Sequence, residues 1–176
     1  VEDVNIVIHT AALKQVPVIE YNPFEAIKTN VQGAQNLVDV CLDKNVGFAL
    51  AIGTDKAVSP FNTYGATKLL MERLFVSANY YKGESKTKFA CVRYGNVLGS
   101  RGSIIPKFIE QIVSGSKITI TDPNMTRFNI TMDQALDLIF RVIKNAVGGD
   151  VHIPKLDAYR VGDIKDVLLD IMDSKN

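Results

Sequence analysis

Between residues 54 and 68 the chain collects a hydroxyl, an acid, two amines and a phenol: Thr54, Asp55, Lys56, Tyr64 and Lys68. Tyr64 and Lys68 stand four apart, so on a helix they share a face. A phenol titrates at about 10 and is a poor base at neutral pH. An ammonium beside it stabilises the phenolate and makes it able to take a proton from an alcohol. An alcohol that is to become a ketone by losing hydride to a nicotinamide needs that arrangement. Solvated helix faces carry the same spacing by accident, so Y-x-x-x-K alone decides little. Asp55-Lys56 says more. Dehydration next to a ketone needs a base for the α-proton and an acid for the departing hydroxide, and adjacent residues reach adjacent atoms. The competing reading is a charged loop with a chance ion pair.

These groups need elements to hold them. Ile6–His9 and Phe48–Ile52 are short apolar runs that read as buried strands, as does Phe89–Val92. Asn22 to Asn45 has helical spacing, with Asn22 as the cap and Pro23 at the first helical position. Tyr64 to Tyr81 is a second helix, with Leu69, Leu70, Leu74, Phe75 and Ala78 turned inward. Further on, the patterns predict a helix over Ile105–Val113, strands at Ile118–Ile120 and Val151–Ile153, and helices over 132–145 and 161–172. Alternating strands and helices imply an α/β fold with a largely parallel sheet. Ligands bind such sheets at the carboxyl ends of the strands. Three polar clusters fall there: His9–Lys14, Thr54–Lys56 and Arg93–Arg101.

Composition narrows the partners. The 176 residues are 47% hydrophobic and 22% charged, with a net charge of +1. This is ordinary for a globular protein and offers no electrostatic case for nucleic acid or an anionic membrane. No apolar run approaches the ~18 residues a membrane span needs. Cys41 and Cys91, both in apolar runs, suggest reduced thiols in a cytoplasmic protein. Two histidines far apart give no metal cluster.

Five blocks, HTAALKQVPVIEYNP, KTNVQGAQNL, TDKAVSPFNTYGATK, VRYGNVLGSRGSIIP and MTRFNIT, together resemble the extended short-chain dehydrogenase/reductase family. Within it the chain is most similar to the inverting UDP-N-acetylglucosamine 4,6-dehydratases of pseudaminic acid and capsular sugar synthesis. The resemblance implies a Rossmann-like parallel sheet with flanking helices and NADP or NAD as cofactor. It makes Tyr64 the catalytic tyrosine and Lys68 the lysine on the cofactor ribose. Thr54 would hold the hydroxyl being oxidised, Asp55 would assist loss of the C6 hydroxyl, and Lys56 would remove the C5 proton. Thr10, Ala11, Ala12 and Asn30 would lie on the cofactor side, as would Val97 and Arg101 beside the nicotinamide. Lys14, Asn96 and Arg127 would face UDP-N-acetylglucosamine, Arg127 clasping its diphosphate. From the residues alone, a single arginine near a turn is more often on the surface.

The family's Gly-rich phosphate loop has no counterpart in these residues, so the chain resembles an internal portion of the pattern and would bind cofactor poorly by itself. Residues 1–102 then form the second half of the dinucleotide-binding core with the catalytic segment. Residues 103–176 form a small substrate-binding region with one further core strand and helices. The resemblance also implies a homo-oligomer for the full-length protein. Two other functions stay open: a UDP-sugar 4-epimerase, which needs Tyr64 and Lys68 but not the pair at 55 and 56, and a non-catalytic nucleotide-sugar-binding module.

Overall fold

The structure is a computed structural model and describes residues 1–100 and 102–173. The chain forms two compact units, Val1–Tyr94 with Leu136–Pro154, and Gly95–Ala135 with the residues from Lys155 on. The divide expected after residue 102 falls inside the second of these. The further core strand and much of the helix before it return to the first.

The first unit is built on a parallel sheet of four strands, β1 (Ile6–His9), β2 (Phe48–Ile52), β3 (Lys88–Val92) and β6 (Val151–His152), ordered β1-β2-β3-β6. Side chains alternate across a strand, and here both faces are covered. Ala49, Ala51, Phe89 and Cys91 pack with Ala34, Val38 and Cys41 of α3 (Gly33–Asp43), and with Met71, Phe75 and Ala78 of α4 (Thr63–Tyr81). Phe48, Leu50, Ala90 and Val92 pack on the other face with Leu138, Ile139 and Val142 of α6 (Met132–Asn145). Small alanines under α4 let that helix, the carrier of Tyr64 and Lys68, lie close to the sheet. Leu70, expected to face inward on α4, is 51% exposed. It lies on the side of the helix away from the single buried stripe set by Lys68, Met71 and Phe75, so the helix is apolar over a wider arc than it buries.

The predicted helix over 22–45 is interrupted. It starts as α2 (Pro23–Ala26), widens into a π-helical segment over Ile27–Gln32, and continues as α3. Asn22 precedes α2 but its side chain does not cap it; its amide donates instead to the Val18 carbonyl at 2.9 Å, closing α1 (Val16–Tyr21). That short helix, with Pro17 in its first turn where no amide donor is needed, was not expected.

In the second unit, β4 (Asn96–Val97), β5 (Thr126–Ile130) and β7 (Ala158–Arg160) form a small sheet, with β4 parallel and β7 antiparallel to β5. Helices α5 (Ile104–Val113) and α7 (Val161–Asp173) belong to the same unit. The strand expected at Ile118–Ile120 does not form. Three β-branched residues were too short a signal: Thr119 is held by the Gln111 side chain, which accepts from its backbone N–H at 3.4 Å and donates to its hydroxyl at 3.1 Å.

Candidate active site

The opening cluster forms where β2 ends. Gly53 donates its N–H to the Val92 carbonyl at 2.7 Å, and a Cβ there would lie 2.6 Å from that oxygen. Only glycine lets the chain leave the sheet this close to β3. Thr54 then caps a single 3-10 turn over Asp55–Ala57, accepting from Lys56 N–H at 3.4 Å. Its hydroxyl donates to Asp55 Oδ1 at 3.0 Å, and Lys56 Nζ donates to the same oxygen at 3.0 Å. Asp55 N–H donates to the Tyr94 carbonyl at 3.1 Å, so the residues after β3 hold the turn from below. Thr54 is buried, and Asp55 and Lys56 are about one-third exposed, at 30% and 33% of their side chains. An acid and an amine that meet each other and still reach solvent are available to a ligand.

Tyr64 stands in the first turn of α4, capped by the Asn62 side chain, which accepts from Gly65 N–H at 2.8 Å. A Cβ at Gly65 would overlap the Lys56 carbonyl oxygen. The glycine therefore lets the Asp55–Ala57 turn rest directly on the start of α4, with Thr54 and Asp55 close to Tyr64. Burial pushes the Tyr64 phenol up, the Thr54 hydroxyl bonded to it pulls down, and Asp55 and Tyr94 push further up. This corrects the expectation that Lys68 lowers it. Lys68, one turn on, is 3% exposed, and its ammonium donates to Met71 Sδ at 3.0 Å. Burial holds Lys68 down at about 8, opposed weakly by Cys91.

The fit to a nicotinamide dinucleotide rests on that lysine. An ammonium has three donors and a thioether is a weak acceptor, so a buried Lys68 facing sulfur is suited to take the hydroxyls of a ribose. Thr10 and Ala11, just past the end of β1, are exposed, and Ala12 is half-buried. Small residues there leave room for a ligand at the carboxyl edge of the sheet. Lys14 is exposed on the same loop.

Asn30 is placed differently from the rest. It is 0% exposed, inside the π-helical segment, and both hydrogens of its amide are committed, to the Leu13 carbonyl at 3.0 Å and Thr67 Oγ1 at 3.0 Å. Its Oδ1 accepts from Leu13 N–H at 2.8 Å. The side chain fixes the loop after β1 to α4 and presents no group outward.

In the second unit, Asn96 is registered opposite Asn129, and Arg127 opposite Tyr159. Arg127 and Asn129 are two apart on β5, so all four side chains share one face of the small sheet. With Ser103 they line a cleft of about 260 Å³, which Val97 also borders. Asn129 and Tyr159 were missed in the sequence; the alternation in Thr126–Ile130 was the available signal. Arg101 lies outside the described residues.

A family described as polysaccharide biosynthesis proteins matches residues 1–176. The chain belongs to that family. An uncharacterized membrane protein of Methanocaldococcus jannaschii is 51% identical over 97% of this chain and 51% of its own length. A UDP-N-acetylglucosamine 4,6-dehydratase (inverting) of Campylobacter jejuni is 47% identical over 94% of this chain and 50% of its own. A UDP-glucose 4-epimerase of Rickettsia massiliae is 42% identical over 98% and 51%. Among solved structures, Pen from Bacillus thuringiensis superposes with a TM-score of 0.94 at 44% identity, covering 99% of this chain and 55% of that one. The Rossmann-like fold expected from the sequence is the fold found. The chain spans about half the length of the curated relatives it matches. Among the described residues, no helix is long and apolar enough to cross a membrane.

Proposed function

We propose that this chain is the catalytic portion of a UDP-N-acetylglucosamine 4,6-dehydratase that inverts C5. The observation that carries the reading is the chain of contacts Thr54 Oγ1–Asp55 Oδ1–Lys56 Nζ, each link 3.0 Å, resting on the helix turn that bears Tyr64. When bound, a nicotinamide dinucleotide, NAD or NADP, supplies the acceptor and the later donor of hydride; Lys68 would hold its ribose, with Thr10 to Ala12 alongside.

Tyr64, in its phenolate form, takes the proton from the C4 hydroxyl, which Thr54 orients. The C4 ketone then acidifies the proton on C5. Movement of a proton along the 3.0 Å Lys56–Asp55 hydrogen bond converts an ion pair into a free amine and a carboxylic acid. Those are the two forms the elimination requires: Lys56 removes the C5 proton, and Asp55 protonates the departing C6 hydroxyl as water. Once C6 has been reduced, reprotonation of C5 from the opposite face inverts that centre. Arg127 suits a diphosphate because its planar fork donates two parallel hydrogen bonds, and Asn96, Asn129 and Tyr159 supply polar groups around it. The reading places the reaction in the cytoplasm, in keeping with the two buried free thiols Cys41 and Cys91.

The second reading, a UDP-sugar 4-epimerase, is favoured by the Rickettsia relatives bearing that name. Incubation with UDP-N-acetylglucosamine and NAD or NADP, followed by mass spectrometry of the nucleotide sugar, separates the readings. Loss of one water, abolished in Lys56→Ala and in Tyr64→Phe, supports the dehydratase. A product of unchanged mass with inverted C4 replaces it with the epimerase. Binding of UDP without turnover, in this chain and in one extended to the length of its relatives, would leave only a binding module.

A further inference from the structure

Glu72 lies four residues after Lys68 on α4, the spacing at which a carboxylate normally pairs with a lysine ammonium. It does not do so here. Both Glu72 oxygens are taken by Arg93, with Nη2 donating to Oε1 at 2.6 Å and Nε to Oε2 at 3.0 Å. The pair is buried, the Glu72 side chain 4% and the Arg93 side chain 15% exposed. A buried ion pair adds little to stability, because desolvation offsets most of the attraction. Its presence beside the lysine asks for another reason.

We propose that Arg93 is a positioning residue that withholds the Glu72 carboxylate from Lys68, leaving the lysine's ammonium for a ligand. This rests on the reading of Lys68 given above. The backbone places Arg93 for the task. It follows Val92, whose carbonyl holds Gly53, and precedes Tyr94, whose carbonyl holds Asp55; its own N–H donates to the His152 carbonyl at 2.9 Å. The guanidinium thus starts from a fixed point just past β3 and reaches α4 one turn past Lys68. A planar bidentate fork engages both carboxylate oxygens in one fixed geometry, which the point charge of a lysine at 93 does not.

The charged and titratable groups around Lys68 come from three elements. On α4 are Tyr64 and Glu72; on β3 and just past it are Cys91 and Arg93; from β1 comes His9, stacked on Phe75 at 5.8 Å. Burial, then Lys68, pushes His9 down. Cys91, pushed up to about 12 by burial and then Glu72, is pulled back by Lys68 and Arg93, so these four groups lie within one electrostatic neighbourhood. The ammonium of Lys68 nevertheless meets sulfur and not carboxylate.

The test is the titration of the Lys68 side chain, followed by NMR of its Nζ-attached groups in this chain, without substrate or cofactor. In Arg93→Met the freed Glu72 carboxylate turns to Lys68, and the lysine titrates about one pH unit or more above wild type, since a nearby opposite charge favours the ammonium. In the double variant Arg93→Met/Glu72→Gln the value returns to wild type. Arg93→Lys, which preserves the charge and fills the site if the methionine variant does not fold, shows a smaller rise in the same direction. An unmoved Lys68 titration in folded Arg93→Met or in Arg93→Lys overturns the proposal, as does a rise that persists in the double variant. Because the readout is a titration and not turnover, failure of the dehydratase reading leaves it intact.

Discussion

Asn30 and Leu13, seventeen positions apart, exchange two hydrogen bonds: Leu13 N–H donates to Asn30 Oδ1 at 2.8 Å, and Asn30 Nδ2 donates to the Leu13 carbonyl at 3.0 Å. A side-chain amide here imitates a strand partner for the loop that leaves β1. The third bond, to Thr67 Oγ1, joins that loop to α4 one residue before Lys68. Thr67 in turn donates to the Tyr64 carbonyl at 3.0 Å. One buried asparagine thereby sets the loop Thr10–Lys14 in register with the helix that carries Tyr64 and Lys68.

Asn30→Leu, close in volume but without hydrogen bonds, is expected to cost about 2 kcal/mol, because Leu13 is partly solvated and water recovers some of the loss. The Leu13 amide becomes the first to lose protection in hydrogen exchange, and denaturant titration gives the stability change. If Asn30 served a ligand directly, the isolated protein would show neither effect.

Lys68 predicts a conflict between stability and function. Its folded value of about 8 lies below the ordinary 10.5. Between those two values the unfolded chain binds more protons than the folded one, so stability rises as pH rises through that window. Below pH 8 the fold carries the full cost of a buried ammonium. Lys68→Met is therefore expected to stabilise the protein at neutral pH by up to ~3 kcal/mol, to remove the rise between pH 8 and 10.5, and to abolish turnover. Urea unfolding as a function of pH checks the sign: a wild-type stability that falls across this window contradicts the assignment.

Much of this was legible because parallel strands covered on both faces read as unbroken apolar runs. Phe48–Ile52 and Phe89–Val92 announced themselves in that way, and the candidate catalytic segment could be placed at the end of the first. Thr126–Ile130 did not, because its polar residues alternate with apolar ones on a sheet whose other face is open to the cleft. β4 is two residues long, below what any periodicity resolves, whereas β6, equally short, was marked by the run Val151–Ile153. The Glu72–Arg93 pair spans 21 residues, and its bond to Arg93 rather than to Lys68 depends on how α4 lies over β3. Helical spacing alone would have paired Glu72 with the lysine. The same gap between spacing and packing explains Tyr64: its distance from Lys68 along the helix was readable, but the burial that raises its phenol was not.

Two glycines offer opposite outcomes for one substitution. At Gly33 a Cβ would meet its nearest neighbour, the Lys28 carbonyl oxygen, at an ordinary 3.5 Å. Gly33→Ala should therefore show the helix preference of alanine and gain up to about 1 kcal/mol. At Gly65 the same Cβ would overlap the Lys56 carbonyl oxygen and stand 3.0 Å from Pro60 Cβ. The backbone on both sides is fixed, by the Asn62 cap and by the Thr54 cap, so the turn must move as a body. Gly65→Ala should lose about 1 kcal/mol or more despite the better helix former, since overpacking costs about 1–3 kcal/mol. By displacing the Thr54–Lys56 turn from the start of α4 it should also cut the proposed water-loss reaction at least about tenfold. Thermal unfolding and the mass-spectrometric assay read the two effects, and a Gly65→Ala protein as stable and active as Gly33→Ala would show that the turn does not depend on this contact.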